Sequence, residues 1–375
     1  MWTAAQVADV ILLTTPKEAV AVQDEVSAKG LSVEVRPIKI PLSDWEIPSG
    51  LRGLFRYCSW QWRAAAELRH IEKTDSIDVA HHVTFASDSM PTALLASRAP
   101  VRIWGPVGGA APILPGIFRY LTPKGAAREI ARWVGTGILR RTTGRLVARH
   151  ATRVLVVNDE VRRRVERTAS SVEICSSIAI IPAQIDQVKA HHHAASFNND
   201  LRTAVFAGRL LDWKGLLLAV DTMQFASGWR LLVVGAGPHL SAAQQRAERS
   251  GVEDRVEFIG RISRSELFGL YTEADALLFP SFHDAEGWVV AEASAFGCPV
   301  VCLDVGGPKL WAGRNARVVP VRPAATLPMR LGARLQDLNG RGVPDVNLYA
   351  NRLLPLVMGW YGHVGPSEEA GIGVN

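Results

Sequence analysis

The chain has 375 residues, 48% of them hydrophobic and 21% charged. That is enough for two domains with sizeable cores and too apolar for a disordered chain. No uncharged apolar run reaches the roughly 18 residues a spanning helix needs, and no zinc-finger spacing or aromatic RNA-binding motif points to nucleic acid. The formal charge of +6 is local: between Arg119 and Arg167 there are thirteen Lys or Arg and four Asp or Glu.

Met1 to Pro16 carries an acid, Asp9, and no basic start, so no signal peptide is expected. Four cysteines (Cys58, Cys175, Cys298 and Cys302) are too few for a disulfide framework at this length and read as reduced thiols of a cytoplasmic protein. In the basic stretch, Arg128, Arg132, Arg141, Arg145 and Arg149 recur at helical spacing. Such a helix suits a solvated face, a phosphate-bearing substrate or peripheral contact with an anionic membrane, here the inner face of the plasma membrane.

Strand-length apolar runs alternate with helical patterns. In the first half the strands are expected at Ala8–Thr14, Leu31–Ile38, Ile77–His81, Val101–Trp104, Thr152–Val157 and Ile178–Ile181. Helices are expected at Glu18–Lys29, Trp60–Ile71, Pro91–Ser97 and Glu160–Ala169, while the glycine- and proline-broken stretch Ile103–Phe118 reads as loop. The second half places strands at Thr203–Ala207, Arg230–Val234, Val256–Ile259, Ala276–Phe279, Val300–Leu303 and Ala316–Val319. Near-continuous Val/Ile/Leu runs mark parallel strands buried on both faces. The fold class is therefore α/β, with two doubly wound Rossmann-like domains.

Periodicity fades over Ala183–Leu201, which includes His191, His192 and His193 and reads as a solvated linker rather than a metal site. The domains are accordingly 1–182, 183–347, and a terminal helix and tail over 348–375, placed back on the first domain.

A parallel sheet binds ligands at the carboxyl ends of its strands. In the second half those ends read coherently. The first carries Gly208, Arg209 and Lys214, two cations suited to a diphosphate. The second carries Gly235 and Gly237, which permit close backbone approach. The fourth ends in Asp284 and leads into a helix whose opening amides, from Gly287 through Trp288, Val289 and Val290, form an anion site. Glu292 lies within that helix, where a carboxylate can accept from the two hydroxyls of a ribose.

With these motifs the sequence resembles the retaining glycosyltransferases of family 4, which have the two-lobed GT-B fold. The resemblance is carried by Gly208-Arg-Leu, Trp213-Lys-Gly, Gly235-Ala-Gly-Pro, Phe258-Ile-Gly-Arg and the run Pro280–Val301, with the family's acid–seven–acid pattern at Asp284 and Glu292. It is strong over about Thr203–Pro308. It implies that Arg209 and Lys214 hold and stabilise a departing diphosphate, that Glu292 holds the donor ribose, and that Arg261 and Ile262 flank the base. Asp284, often Glu in the family, is implied to reach toward the sugar.

The first half resembles one branch of the family through Asp78-Val-Ala-His-His-Val-Thr-Phe and Trp104-Gly-Pro-Val-Gly-Gly. Relatives carry a cleft histidine where this chain has Gly105–Gly109, and His82 is the candidate to face the cleft instead. Family members also begin with a strand and a glycine-rich loop, whereas Ala8–Thr14 reads as the second strand. The resemblance thus implies a front strand missing from this chain.

The implied reaction moves a hexose from a nucleotide-diphosphate sugar, UDP- or GDP-linked, to a hydroxyl of a saccharide or lipid-linked acceptor with retention, in polysaccharide or glycolipid synthesis. No Asp-x-Asp triplet occurs, and a cationic clamp needs no metal or other cofactor. The competing readings are a non-catalytic nucleotide-sugar-binding partner subunit and a nucleotide-sugar epimerase. A dinucleotide-dependent oxidoreductase is disfavoured because Gly235-Ala-Gly lacks the fingerprint's third glycine.

Overall fold

The structure is a computed structural model that describes residues 4–40, 51–83, 87–109, 115–178, 180, 201–345 and 353–361. Strands in chain order are β1 (Val10–Thr14), β2 (Val33–Pro37), β3 (Val79–His82), β4 (Val101–Val107), β5 (Arg153–Val156), β6 (Val172–Ile174), β7 (Arg202–Ala207), β8 (Trp229–Val234), β9 (Val256–Gly260), β10 (Ala276–Phe279), β11 (Val300–Leu303) and β12 (Ala316–Val319). The helices are α1 (Pro16–Lys29), α2 (Leu51–Thr74), α3 (Pro123–Leu139), α4 (Arg145–His150), α5 (Asp159–Val165), α6 (Leu216–Thr222), α7 (Leu240–Ser250), α8 (Arg264–Glu273), α9 (Trp288–Ala295), α10 (Pro308–Trp311), α11 (Leu327–Gln336) and α12 (Leu353–Tyr361). No helix among the described residues is long and apolar enough to cross a membrane.

The second lobe is one parallel sheet in the order β12-β11-β10-β7-β8-β9. Its central strands are buried along their length, with one apolar cluster on each face. That double burial is why these strands read as unbroken apolar runs. The first strand of the lobe, β7, lies at the centre, and the chain winds outward from it in both directions. The loops after β7 and β10 therefore meet at the point where strand order reverses, the usual ligand crevice of such sheets.

The first lobe departs from a single sheet. Among the described residues β1 pairs only with β2, and β3-β4-β5-β6 form a separate parallel sheet. Every residue of β1 is only partly buried, so this pair is not covered on both faces as the core strands are. Two sequence expectations are corrected here. The strand expected to stop at Trp104 runs on to Val107, into the stretch read as loop, because Gly105 at φ +135° lets β4 lie against β5: a Cβ there would fall 2.1 Å from the Leu155 carbonyl oxygen. The helix expected over Pro91–Ser97 is a single 3₁₀ turn, Ala93–Ala96. The edge strand β6 is not among the expected strands; at three residues, Val172–Ile174, it is too short to carry a period.

Ile178 and Ile180 pack into a core cluster of the second lobe. The expected linker over residues 183–200, with its three histidines, lies outside the described residues. Helix α12 lies on the first lobe, where Trp360 packs with Ile103 and Leu155, its indole N–H donates to Glu173 (3.2 Å), and the Tyr361 hydroxyl meets His81 Nδ1.

Close approach of backbones at the strand ends makes a testable demand. A Cβ on Gly235 (φ +134°) would lie 1.9 Å from the Gly208 carbonyl oxygen, whereas one on Gly251 (φ +61°) would meet open space. Gly235→Ala is expected to lower stability by about 1–3 kcal/mol, more than Gly251→Ala. Urea melts of the two variants check this; equal midpoints would contradict it.

Candidate active site

The site is assembled by four neighbouring strand ends. Beyond β7, Gly208 N–H donates to the Val234 carbonyl (3.0 Å) and Leu210 N–H to the Ala236 carbonyl (3.1 Å). Gly235 N–H in turn donates to the Gly260 carbonyl (2.7 Å). These bonds join the loops after β7, β8 and β9 into one edge, and the absence of side chains at Gly235 and Gly237 is what permits it.

The loop after β10 closes on the other side. Phe282 N–H and the Ser281 hydroxyl both donate to the Trp213 carbonyl, at 2.8 and 3.1 Å. Gly215, at φ +75°, presses against the Pro280 carbonyl, where a Cβ would come within 2.1 Å. This docking carries Lys214 onto Asp284: the two form an ion pair, with Lys214 Nζ also 5.3 Å above the Phe279 ring. Both side chains are mostly buried, so the pair is poorly screened. Arg209 stands exposed at the same edge, and no carboxylate among the described residues pairs with it.

Helix α9 begins at Gly287 (φ +80°) without a side-chain cap. The Val290 amide, expected to face an anion, is instead donated to the Gly287 carbonyl at 2.9 Å, and the Val290 side chain lies in the core. This corrects its assignment: tightening of the first turn uses that N–H, and the amides left for a ligand are those of Trp288 and Val289. Five residues in, Glu292 is buried and held by Arg264 at the start of α8, at 3.1 Å from Nε and 2.8 Å from Nη2. Burial pushes the Glu292 carboxyl above its usual range, and Arg264 pulls the other way. Arg264 follows the Arg261-Ile262 loop directly, so the expected base contacts and the expected ribose acid are neighbours.

His82 is not brought to this edge by any recorded contact. It ends β3, its Nε2 lies 3.3 Å from Gln61 Nε2, and burial lowers its pKa to about 4, leaving it neutral. His81 is likewise neutral, with Nε2 at 2.8 Å from the Gly105 carbonyl oxygen.

Several groups that sequence reasoning passed over tie the lobes together around the site. Glu286, in the same loop as Asp284, accepts from the Ser176 hydroxyl (2.8 Å), the Ser177 amide (2.7 Å) and the Ser177 hydroxyl. Asn158, the N-cap of α5, donates to the Ala285 carbonyl (2.8 Å), and Glu160 accepts from the Gly306 amide (3.0 Å). His283 stacks on Trp213 and meets buried Glu129 of α3 at 3.1 Å. Asp212 accepts from the amide and hydroxyl of Thr122, each at 3.0 Å, and meets His239 at 3.0 Å. The motif run quoted Glu286 and His283, but nothing in it marks their partners, which are more than a hundred residues away.

On the first lobe, Asp88 is buried between Arg140 (2.8 Å) and Arg164 (2.7 Å). Its amide donates to the Gly108 carbonyl (3.0 Å), which clasps it to the end of β4. Its Oδ1 is buried without a partner among the described residues. Two cavities, of about 370 and 570 Å³, lie at the seam near Arg119 and Tyr120 and near Pro115 and Pro323; none of the expected donor residues lines them.

Residues 187–319 match the family described as Glycosyl transferases group 1. The fold is GT-B. The matched stretch contains every residue that the sequence led us to expect at a donor site. Among curated relatives, the D-inositol 3-phosphate glycosyltransferase of Mycolicibacterium smegmatis is 34% identical over 114 residues, 29% of this chain and 26% of that one. The 2-deoxystreptamine glucosyltransferase of Streptomyces kanamyceticus is 29% identical over 184 residues, 48% of this chain and 46% of that one. The matches thus span from about a quarter to under half of these relatives' length. Two solved structures share the fold over nearly the whole chain. WaaG, a glycosyltransferase involved in lipopolysaccharide biosynthesis, has TM-score 0.53 and 15% identity, covering 94% of this chain and 100% of that one. A sucrose-phosphate synthase from Thermosynechococcus elongatus has TM-score 0.53 and 17% identity, covering 92% and 97%.

The clasp at Glu286 sets a pH dependence. Burial, the largest influence, raises its folded-state pKa above the unfolded value, against the serine hydrogen bonds. The folded state therefore holds the proton more tightly, and stability from this group is fullest below the unfolded pKa of about 4.3. It is lost as pH rises through the raised folded value. In urea melts from pH 4 to 8, the stability of wild type relative to Glu286→Gln is expected to fall with rising pH and then level off. A difference independent of pH would contradict this.

Proposed function

We propose that this chain is a retaining glycosyltransferase that moves a hexose from a nucleoside-diphosphate sugar to a hydroxyl acceptor. One observation carries the reading: at the switch point of the second sheet, Lys214, Asp284 and the open amides of Trp288 and Val289 lie on one edge, with buried Glu292 in the same helix. The diphosphate takes the cations and the helix opening, where the dipole favours negative charge. Lys214 exchanges Asp284 for the phosphates, and Asp284 is freed toward the sugar. Glu292 exchanges Arg264 for the ribose hydroxyls, and the backbone at Arg261 and Ile262 flanks the base.

The acceptor oxygen attacks the anomeric carbon from the face the diphosphate leaves, and a departing phosphate oxygen takes its proton. Lys214 and Arg209 stabilise the charge that develops on the leaving group, so the protein's work is positioning and electrostatics. No metal is required in this scheme. The Asp88–Arg140–Arg164 cluster, clasped to the end of β4 at Gly108 and reaching Glu160 (3.8 Å from Arg164) and thence the Gly306 amide, supports an acceptor that bears an anionic group. Polysaccharide or glycolipid synthesis is the setting this reading suits.

A thermal-shift panel of nucleoside diphosphates and sugar nucleotides tests donor binding. A ligand at 100 times its Kd adds about 2.7 kcal/mol of stability; no shift with any member would sink the proposal. Lys214→Ala is expected to reduce transfer by about 10²–10³-fold, and unchanged kinetics would remove its phosphate role. Incubation of the sugar nucleotide without acceptor separates transfer from epimerisation, since only an epimerase converts it alone.

A further inference from the structure

Helix α3 presents two faces with different fates. One face is fastened to the second lobe. Thr122, its N-cap, bonds Asp212; a Cβ on Gly125 would fall 2.2 Å from the Asp212 carboxyl; and Glu129 meets His283. Glu129 ionises more readily than a free carboxyl: burial opposes this, but His283 and Arg132 outweigh it. These anchors recur at helical spacing and hold the helix in place.

A neighbouring face, which includes Trp133, i+4 from Glu129, is apolar and open. Ile130, Trp133, Val134 and Ile138, at i, i+3, i+4 and i+8, are 53%, 55%, 50% and 60% exposed. Nothing among the described residues covers them. A contiguous exposed stripe of this kind on a fixed helix marks a contact surface. From Lys124 to Arg149 there are seven Lys or Arg and one carboxylate, Glu129, which is turned inward. Arg132 is spent on Glu129 and Arg140 on Asp88. Lys124, Arg128, Arg141, Arg145 and Arg149 remain exposed before and after the stripe, with no carboxylate partner among the described residues.

We propose that this face of α3 docks on an anionic lipid bilayer, with the helix lying in the membrane plane. The stripe enters the headgroup–acyl boundary, where Trp133 is at home, and the flanking cations meet lipid phosphates. A second copy of the chain is disfavoured, because a symmetric contact would set five unpaired cations against five. A helix ridge is also convex and offers no groove for a peptide, whereas a fluid bilayer conforms to it. The proposal does not depend on the donor-site reading, and its test uses no nucleotide.

The experiment is flotation of the intact chain with vesicles of phosphatidylglycerol and phosphatidylcholine, against phosphatidylcholine alone. Wild type is expected to float with the anionic vesicles only, and less as salt rises. Trp133→Ser with Ile138→Ser is expected to weaken partitioning at least tenfold with an unchanged melting midpoint, since both side chains are exposed. Arg128→Gln with Arg141→Gln and Arg145→Gln is expected to do the same and to flatten the salt dependence. Wild type that stays unbound, or binding undiminished in both variants, overturns the proposal. So does a concentration-dependent oligomer in sedimentation that Trp133→Ser with Ile138→Ser abolishes while vesicle binding persists.

Discussion

The contact on which the site depends is a meeting of backbones. Gly235 lies against the Gly208 carbonyl, Gly237 against that of Leu210, and Gly215 against that of Pro280. None of these places has room for a side chain. Because the loops after β7, β8 and β10 touch through their main chains, the side chains they carry are aimed over a common edge rather than spread along the sheet. Lys214 reaches Asp284 for this reason alone; the two are seventy residues apart in sequence.

The edge satisfies its own charges. Lys214 neutralises Asp284, and Arg264 neutralises Glu292. Each pair relieves the desolvation of its partly buried members. The same logic extends across the seam, where Glu286, Asn158, Glu160, Asp212 and Glu129 each reach a partner on the other lobe. Asp212, His283 and Glu286 lie within two residues of Lys214 or Asp284, so the fastening between the lobes and the strand-end edge use the same loops.

Helix α3 belongs to both of these themes. Its buried face is part of the inter-lobe fastening through Thr122 and Glu129. The adjoining face, basic at both ends and apolar between, is left to the outside. A helix rigidly tied to the second lobe would orient the cleft relative to whatever surface it rests on.

The sequence by itself determined the second lobe almost strand for strand. The runs at Ala276–Phe279 and Val300–Leu303 coincide with β10 and β11, because strands covered on both faces must be continuously apolar and carry a signal that needs no context; the edge strand β12 coincides with Ala316–Val319 although Arg317 interrupts it. It also placed Gly208, Lys214, Asp284 and Glu292 at strand ends and a helix opening, since topology and local turn chemistry suffice for that. Only the tertiary structure decided what those residues touch: that Asp284 pairs with Lys214, that Arg264 occupies Glu292, that the Val290 amide is used within its own turn, and that His82 rests on Gln61. It alone decided which face of the basic helix is apolar and open and which is buried on the other lobe. Partners separated by tens to hundreds of residues leave no periodicity to read, because a side chain's hydrogen bond depends on where two backbones meet and not on the residues beside it.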